Sequence, residues 1–506
     1  MVALAASILG AVADTGADHR PSGRDPRELE IGDHVNLDEL RAQLVAVVGH
    51  ENVLNDPARL RPYGRQVGPY PIASPQIVVR PGTVDEVSRL TALVDHTPYG
   101  IVPYGNGLAL TGRPAMDRPE VMVLDLSRLN AVRDIDEQNM TVTAEAGVLM
   151  AELERQVAAR GFQVHTVAVP TEAATLGGVL SGVMGGGLPR DAASVGGLFA
   201  SLMGLTVVLA DGTQVALDGS GPSRPRKTPT IQDGDGPYLL PMFVGDGGSL
   251  GIKVQATLSL EPLAGVVTEQ SWTLPSLASA YTAMARLTAL REQPYAALTI
   301  EEISEADGDT AAWRFSCVVR ASDRALLDQQ LRQIEGVLAA SGAHRSATGS
   351  EPTDAQSFER TEAERRQRYL SMPRATLAFI FGRGEFLAGY SRIREELTAR
   401  IHDGDGAVRA LRLFTNFSPH TRHAVFASIG ILYDPSSKAE QHAAVELARR
   451  GYRLVAELGG YSEPHQGEAA RSIASGWSQE YRRLVKSVKH ALDPNGTLNP
   501  GLWWSE

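Results

Sequence analysis

Three short clusters in this chain carry side chains suited to acid–base and anion chemistry. The first is Gly459-Gly460-Tyr461-Ser462-Glu463-Pro464-His465-Gln466-Gly467. It sets a phenol, a carboxylate and an imidazole close together in sequence. Imidazole titrates near pH 6.5 and suits general base work, and Tyr461 could orient a substrate oxygen. A surface turn after a helix is the plain alternative. The second cluster is Pro419-His420-Thr421-Arg422-His423, where His420 and His423 would share a face if the segment were helical. A solvated turn is the alternative there. The third is Arg374, in Ser371-Met372-Pro373-Arg374, a candidate bidentate clamp for a carboxylate. Its charged surroundings point to the surface.

A different chemistry is written in the glycines. One loop reads Pro103-Tyr104-Gly105-Asn106-Gly107-Leu108-Ala109-Leu110-Thr111-Gly112. A second stretch carries Pro170, Thr171, Thr175, Gly177, Gly178, Ser181, Gly182 and Gly185. A third runs Val244-Gly245-Asp246-Gly247-Gly248-Ser249-Leu250-Gly251-Ile252, and the chain closes with Asp493-Pro494-Asn495-Gly496-Thr497-Leu498-Asn499-Pro500-Gly501. Glycine lets a backbone approach another molecule closely, and successive N–H groups form a nest that suits a diphosphate. Tight turns and close strand packing are the alternative for any one cluster. A dinucleotide fingerprint G-x-G-x-x-G is not among them, because Gly105 and Gly107 are followed only by Gly112, so a primary NAD site is not expected.

The elements that must hold these loops are legible by pattern. Apolar spacing predicts a helix over 37–48. A strand at 76–80 is followed by Thr83 and Glu86, the ends of a capping box, opening a helix to about Asp95. Strands are predicted at 101–103, 121–127, 139–148 and 204–211, the last ending in the hairpin signal Ala210-Asp211-Gly212. A helix at 149–160 precedes the second glycine stretch, whose helix start would turn partial positive charge toward a phosphate. Residues 219–236 read as an exposed loop, and 254–260 as a strand. From about 264 the composition shifts. Strands at 268–274, 298–303, 313–319, 377–381 and 424–433 alternate with helices at 278–290, 326–341, 354–368, 390–399 and 440–458. That is an α+β sheet with helices on one face. A helix at 481–492 leads into the final turn, and Trp503-Trp504 could anchor the end by burying aromatic area.

Composition narrows the field. The chain has 506 residues, 43% hydrophobic and 21% charged, with a net charge of −11 and a single cysteine. An acidic balance argues against nucleic acid as a partner. Cys317 cannot form an internal disulfide, and its setting in a strand favours burial as a small hydrophobe over a thioether link. No run of eighteen apolar residues exists, so no membrane span is expected. The apolar stretch Val2 to Val12 lacks the basic residues of a secretory signal, which makes a cytoplasmic location the expectation.

The ordered glycine motifs resemble the FAD-binding domain of the vanillyl-alcohol-oxidase/p-cresol-methylhydroxylase (PCMH-type) superfamily. The glycolate-oxidase/D-lactate-dehydrogenase branch is the nearest in pattern. There, P-R-G-G-G-T-G-L-S-G, a T-(I/L)-G-G segment, G-L-(E)-V-V-L-A-D-G, V-G-S-E-G-T-L-G-I and D-P-N-x-x-L-N-P-G occur in this order. Leu108 and Ala109 depart from the family's Thr and Gly, and Tyr104 stands where Arg is common.

The resemblance implies a two-subdomain PCMH-type domain at 37–263, a cap at 264–475, a return at 476–506 and a flexible lead-in at 1–36. It implies FAD held by residues 103 to 110, by the second glycine stretch, by Gly248, Gly251 and Ile252, and by Asn499 near the ring. It also implies oxidation of an alcohol or hydroxy acid by hydride transfer to flavin N5. A small molecule would be the substrate and O2 or another carrier the acceptor; a homo-oligomer is compatible with this. The branch's G-G-x-x-x-G-E-H-G brings Glu463, His465 and Tyr461 toward the substrate. Its metal motif H-x-G-D-G-N-x-H has lost its core near His420, so no metal is expected. In the phenol-oxidising branch a cap histidine links the flavin covalently. His423 is the candidate for that, and non-covalent FAD is the first expectation. The first glycine loop has no histidine, which excludes a link from there. An aryl alcohol oxidase, a biosynthetic enzyme for a bulky intermediate and a non-catalytic FAD protein remain as alternatives.

Overall fold

Near-continuous apolar runs build the first sheet. Its strands are β1 (Val53–Leu54), β2 (Ile77–Val79), β3 (Gly100–Tyr104) and β4 (Val121–Asp125), in the order β1-β2-β4-β3. β2, β4 and β3 run parallel, and a parallel sheet buried on both faces selects such runs. The helix Val84–Val94 makes the crossover between β2 and β3. Its capping box is half formed: Thr83 accepts from Glu86 N, while the Glu86 carboxylate takes the N–H of Gly82 instead of the cap residue.

The second sheet is antiparallel. It orders β5 (Val132–Asp136), β6 (Thr141–Glu145), β10 (Ile252–Ser259), β8 (Leu202–Val208) and β9 (Gln214–Leu217) as β5-β6-β10-β8-β9. β7 (Phe162–Gln163) pairs separately with β11 (Glu261–Pro262). β5 has no counterpart among the predicted strands. It is an edge strand whose side chains are half-buried or exposed, so no buried face marks it in the sequence.

The third sheet has eight strands: β12 (Val266–Leu274), β13 (Ala297–Ile303), β14 (Ala312–Ala321), β15 (His344–Gly349), β16 (Arg374–Gly382), β17 (Arg412–Pro419), β18 (Ala424–Leu432) and β19 (Tyr461–Glu463). Their order is β15-β12-β14-β13-β17-β18-β16-β19. Helices Leu277–Ala289, Arg324–Ala339, Phe386–Asp403 and Lys438–Glu457 contribute their buried residues to a core on one face. That core centres on Phe379, Phe386, Tyr390, Phe417 and Trp313, with Phe386 and Phe417 ring centroids 5.1 Å apart. Each fully buried aromatic contributes on the order of 1.5–3 kcal/mol. Cys317 lies in this core, and burial pushes its thiol pKa well up.

The computed structural model describes residues 37–65, 68–70, 74–108, 120–164, 171–182, 201–218, 237–303, 312–360, 371–404, 406–463 and 467–503. The described residues from Arg41 onward form one compact unit. Among the described residues no helix is long and apolar enough to cross a membrane. Ala109, Leu110, Pro170, Gly185, His465, the 219–236 loop and Trp504 lie outside the described residues.

Candidate functional site

The glycine segments converge. A Cβ on Gly105 would collide with Thr175 Oγ1, so the first loop and the second are in direct contact there. Asn106 Nδ2 donates to Ala173 O at 3.0 Å. Thr175 caps the helix Leu176–Ser181 by accepting from Gly178 N, and that helix delivers Gly177 and Gly178 into the same region. Gly245 N donates to Leu180 O at 2.9 Å and Gly247 N to Ser181 O at 3.0 Å. Thr171 is buried, Gly182 closes the short helix, and Gly251 packs against the Phe243 ring beside Ile252, the first residue of β10.

The C-terminal turn completes the arrangement. Ile101 N donates to Thr497 O and Asn499 N to Ile101 O, which docks the turn on β3. Asn499 Nδ2 donates to Gly247 O. Gly248 has φ +77, and a Cβ there would stand 3.1 Å from Asn499 Nδ2 and 3.3 Å from Pro103 Cγ. Left-handed backbone of this kind is strained for any residue with a Cβ. Asn499 is 2% exposed, yet its Oδ1 has no hydrogen-bond partner among the described residues. A glycine-walled cradle with one orphaned buried amide oxygen fits a large ligand bearing N–H donors and phosphates. FAD is such a ligand.

Two supports of this cradle escaped sequence reading. Asp246 and Lys253 form an ion pair at 2.5 Å, both side chains almost wholly buried. The Asp246 carboxylate also accepts from Gly248 N at 2.9 Å and Leu250 N at 3.0 Å, so it shapes the third glycine segment. The only signal was a lone lysine between Ile252 and Val254. The other support is Tyr63, which donates to Asp125 at 2.6 Å and packs on Tyr104 with centroids 5.0 Å apart. Burial, then the Asp125 hydrogen bond, push the Tyr63 phenol pKa well up. Trp503 Nε1 donates to Ser249 Oγ at 3.2 Å, and its ring meets Trp477.

The acid–base candidates are spread over the eight-stranded sheet. Arg374 is not at the surface: it is 3% exposed at the start of β16, with its stem over Gly430, and it donates to Met372 O. An aliphatic stem lying on a glycine is the physical reason so charged a segment enters the interior. His420 and His423 are not on a helix. They sit in the four-residue turn between β17 and β18, where Pro419 pairs with Val425 and His423 is exposed. Tyr461 is 71% exposed at the sheet edge, its backbone paired with Ile380, and Glu463 pairs with Ala378. The register puts His423, Glu463 and Arg374 beside three different places on β16. No single small substrate can touch all of them.

Known proteins accord with this geometry. Residues 75–218 match the family described as FAD binding domain. A glycolate oxidase subunit of Bacillus subtilis is 24% identical over 92% of this chain and 96% of its own. A probable mitochondrial D-lactate dehydrogenase of Danio rerio is 31% identical over 46% of this chain and 45% of its own, so that likeness spans less than half of either protein. The crystal structure of p-cresol methylhydroxylase with substrate bound superposes with a TM-score of 0.73 at 16% identity, covering 92% of this chain and 97% of the other. The chain is an FAD-linked oxidoreductase. Its fold is that of p-cresol methylhydroxylase, and FAD is its cofactor.

Proposed function

We propose that this protein oxidises an alcohol or hydroxy acid at a CH–OH carbon. The convergence of three glycine segments and Asn499 around Gly248 carries the reading. The nearly full-length likeness to a glycolate oxidase subunit supports the substrate class. In this reading residues 37–263 and 476–506 hold FAD, and 264–475 form the cap. FAD, when bound, supplies the two-electron acceptor, and O2 or another carrier removes the electrons.

The chain's own residues do the rest. Pro103 to Leu110, the second glycine stretch, Gly248, Gly251, Ile252 and Asn499 bind the cofactor. His465, with Glu463, takes the substrate O–H proton, Tyr461 lines the approach at the sheet edge, and Arg374 receives a carboxylate. The likeness to p-cresol methylhydroxylase keeps an aryl alcohol oxidase, with FAD linked through the exposed His423, as the second reading.

The test is made on purified protein. A visible flavin band should bleach anaerobically on adding glycolate, D-lactate or another small alcohol. Acid should leave yellow FAD in the supernatant; a yellow pellet would favour the second reading. His465→Ala should keep FAD but slow bleaching about a hundredfold, the size of a general-base contribution. A flavin that no alcohol or hydroxy acid bleaches would overturn the proposal.

A further inference from the structure

The face of the eight-stranded sheet opposite the aromatic core carries buried polar side chains among apolar ones such as Phe426 and Ala378. Asn416 and Ser418 alternate on β17 with Thr415 and Phe417, which face the core side. Across the strands, Asn416 pairs with Ser428 on one side and Glu301 on the other. Asn416 is 3% exposed, Ser418 0% and Thr376 of β16 4%. Among the described residues, Asn416 Oδ1, Ser418 Oγ and Thr376 Oγ1 have no hydrogen-bond partner.

Other polar side chains of the same sheet are paired. Ser271 and Ser316 bond across β12 and β14 at 2.9 Å, Thr268 donates to Ser350 O at 2.7 Å, and Thr415 donates to Glu302 at 2.9 Å. Buried polar atoms in folded proteins are almost always satisfied, and each exception calls for an explanation. Asn416 and Ser418 of β17 are two such exceptions. Asn416 and Ser418 stand two residues apart on one face, roughly 7 Å along the strand.

We infer that Asn416 and Ser418 are hydrogen-bonding contacts for the substrate. Asn416 Oδ1 accepts from a substrate hydroxyl, and the Ser418 hydroxyl donates to another substrate oxygen. Neither moves a proton; they bind and orient. Thr376 is level with Phe414 across Gly430, four residues along the strands from Ser418, too far to share that substrate. The ligand class is a small molecule with a hydroxyl and at least one more oxygen within a few bonds. The assignment rests on the oxidase reading above.

Asn416→Leu and Ser418→Ala remove the orphaned atoms with little change of volume, and Ser271→Ala is the control from the paired set. The FAD-loaded full chain is titrated anaerobically with glycolate and D-lactate, and its Tm is measured without them. Asn416→Leu and Ser418→Ala should raise the half-saturating concentration about tenfold, as expected for a lost hydrogen bond to ligand. They should leave the limiting bleaching rate within about threefold and the Tm unchanged or higher. Ser271→Ala should lower Tm and leave half-saturation unchanged. A lowered Tm in both Asn416→Leu and Ser418→Ala overturns the inference, because the atoms then have protein partners. So does an unchanged half-saturation. If no compound bleaches the wild type, the oxidase reading fails, and the Tm comparison alone decides whether these groups await a ligand.

Discussion

Arg374 and His423 stand at opposite ends of one antiparallel strand pair. Arg374 pairs with Leu432, and Gly382, eight residues on, pairs with Ala424, the neighbour of His423. At about 3.4 Å per residue the two ends are roughly 27 Å apart. They cannot act on one small substrate together. Arg374→Lys keeps the charge and loses the planar fork, so KM for a carboxylate substrate should rise about tenfold or more while FAD content holds. His423→Ala should leave that KM within about twofold. Steady-state kinetics on the two variants separates them, and equal effects would refute the spatial argument.

The buried pair of Asp246 and Lys253 should be sensitive to one-sided change. Lys253→Met strands a buried carboxylate, at a cost of about 3–5 kcal/mol. Because Asp246 also accepts from Gly248 N and Leu250 N, FAD affinity should fall with stability. Adding Asp246→Asn should recover part of the stability, a coupling that denaturation of the singles and the double reads directly. Additive losses would mean that the two side chains act independently.

Gly105 meets Thr175 too closely for any side chain. Gly105→Ala should therefore release bound FAD. The double variant Gly105→Ala, Thr175→Ala should regain part of the binding, since the hydroxyl in the way is gone. It gives up the helix cap in exchange, about 1 kcal/mol. Flavin fluorescence on titrating apoprotein with FAD measures both.

Asp323 caps the helix Arg324–Ala339 by accepting from Leu326 N at 3.0 Å. That backbone hydrogen bond, with one from Ser322, holds its carboxyl below the usual range. A depressed folded pKa contributes stability above the unfolded value, and the contribution is lost as pH falls through the folded one. Asp323→Ala should thus lower Tm at neutral pH, and the gap from wild type should close under acid. A gap that persists at low pH would contradict the cap assignment.

Much of this was written locally. Glycine loops, the Thr83 cap, the apolar runs of β2 and β4 and the amphipathic helices follow from φ freedom, hydrogen bonding and periodicity, which neighbouring residues decide. So the glycine segments that converge in the fold were legible in the sequence, in order. What escaped was set by distant contacts. β5 is an edge strand with no buried face to mark it, and the role of Lys253 is visible only with Asp246 beside it. Arg374 looked like surface because its neighbours in sequence are charged, while its neighbours in space include Gly430. The alternation of Thr415, Asn416, Phe417 and Ser418 could suggest a strand with a polar face. That this face is buried, and that its oxygens lack partners, is decided only when β13, β17, β18 and β16 are brought into register. A hydrogen bond's absence, like an ion pair's presence, is a property of three-dimensional neighbours, and chain order does not contain it.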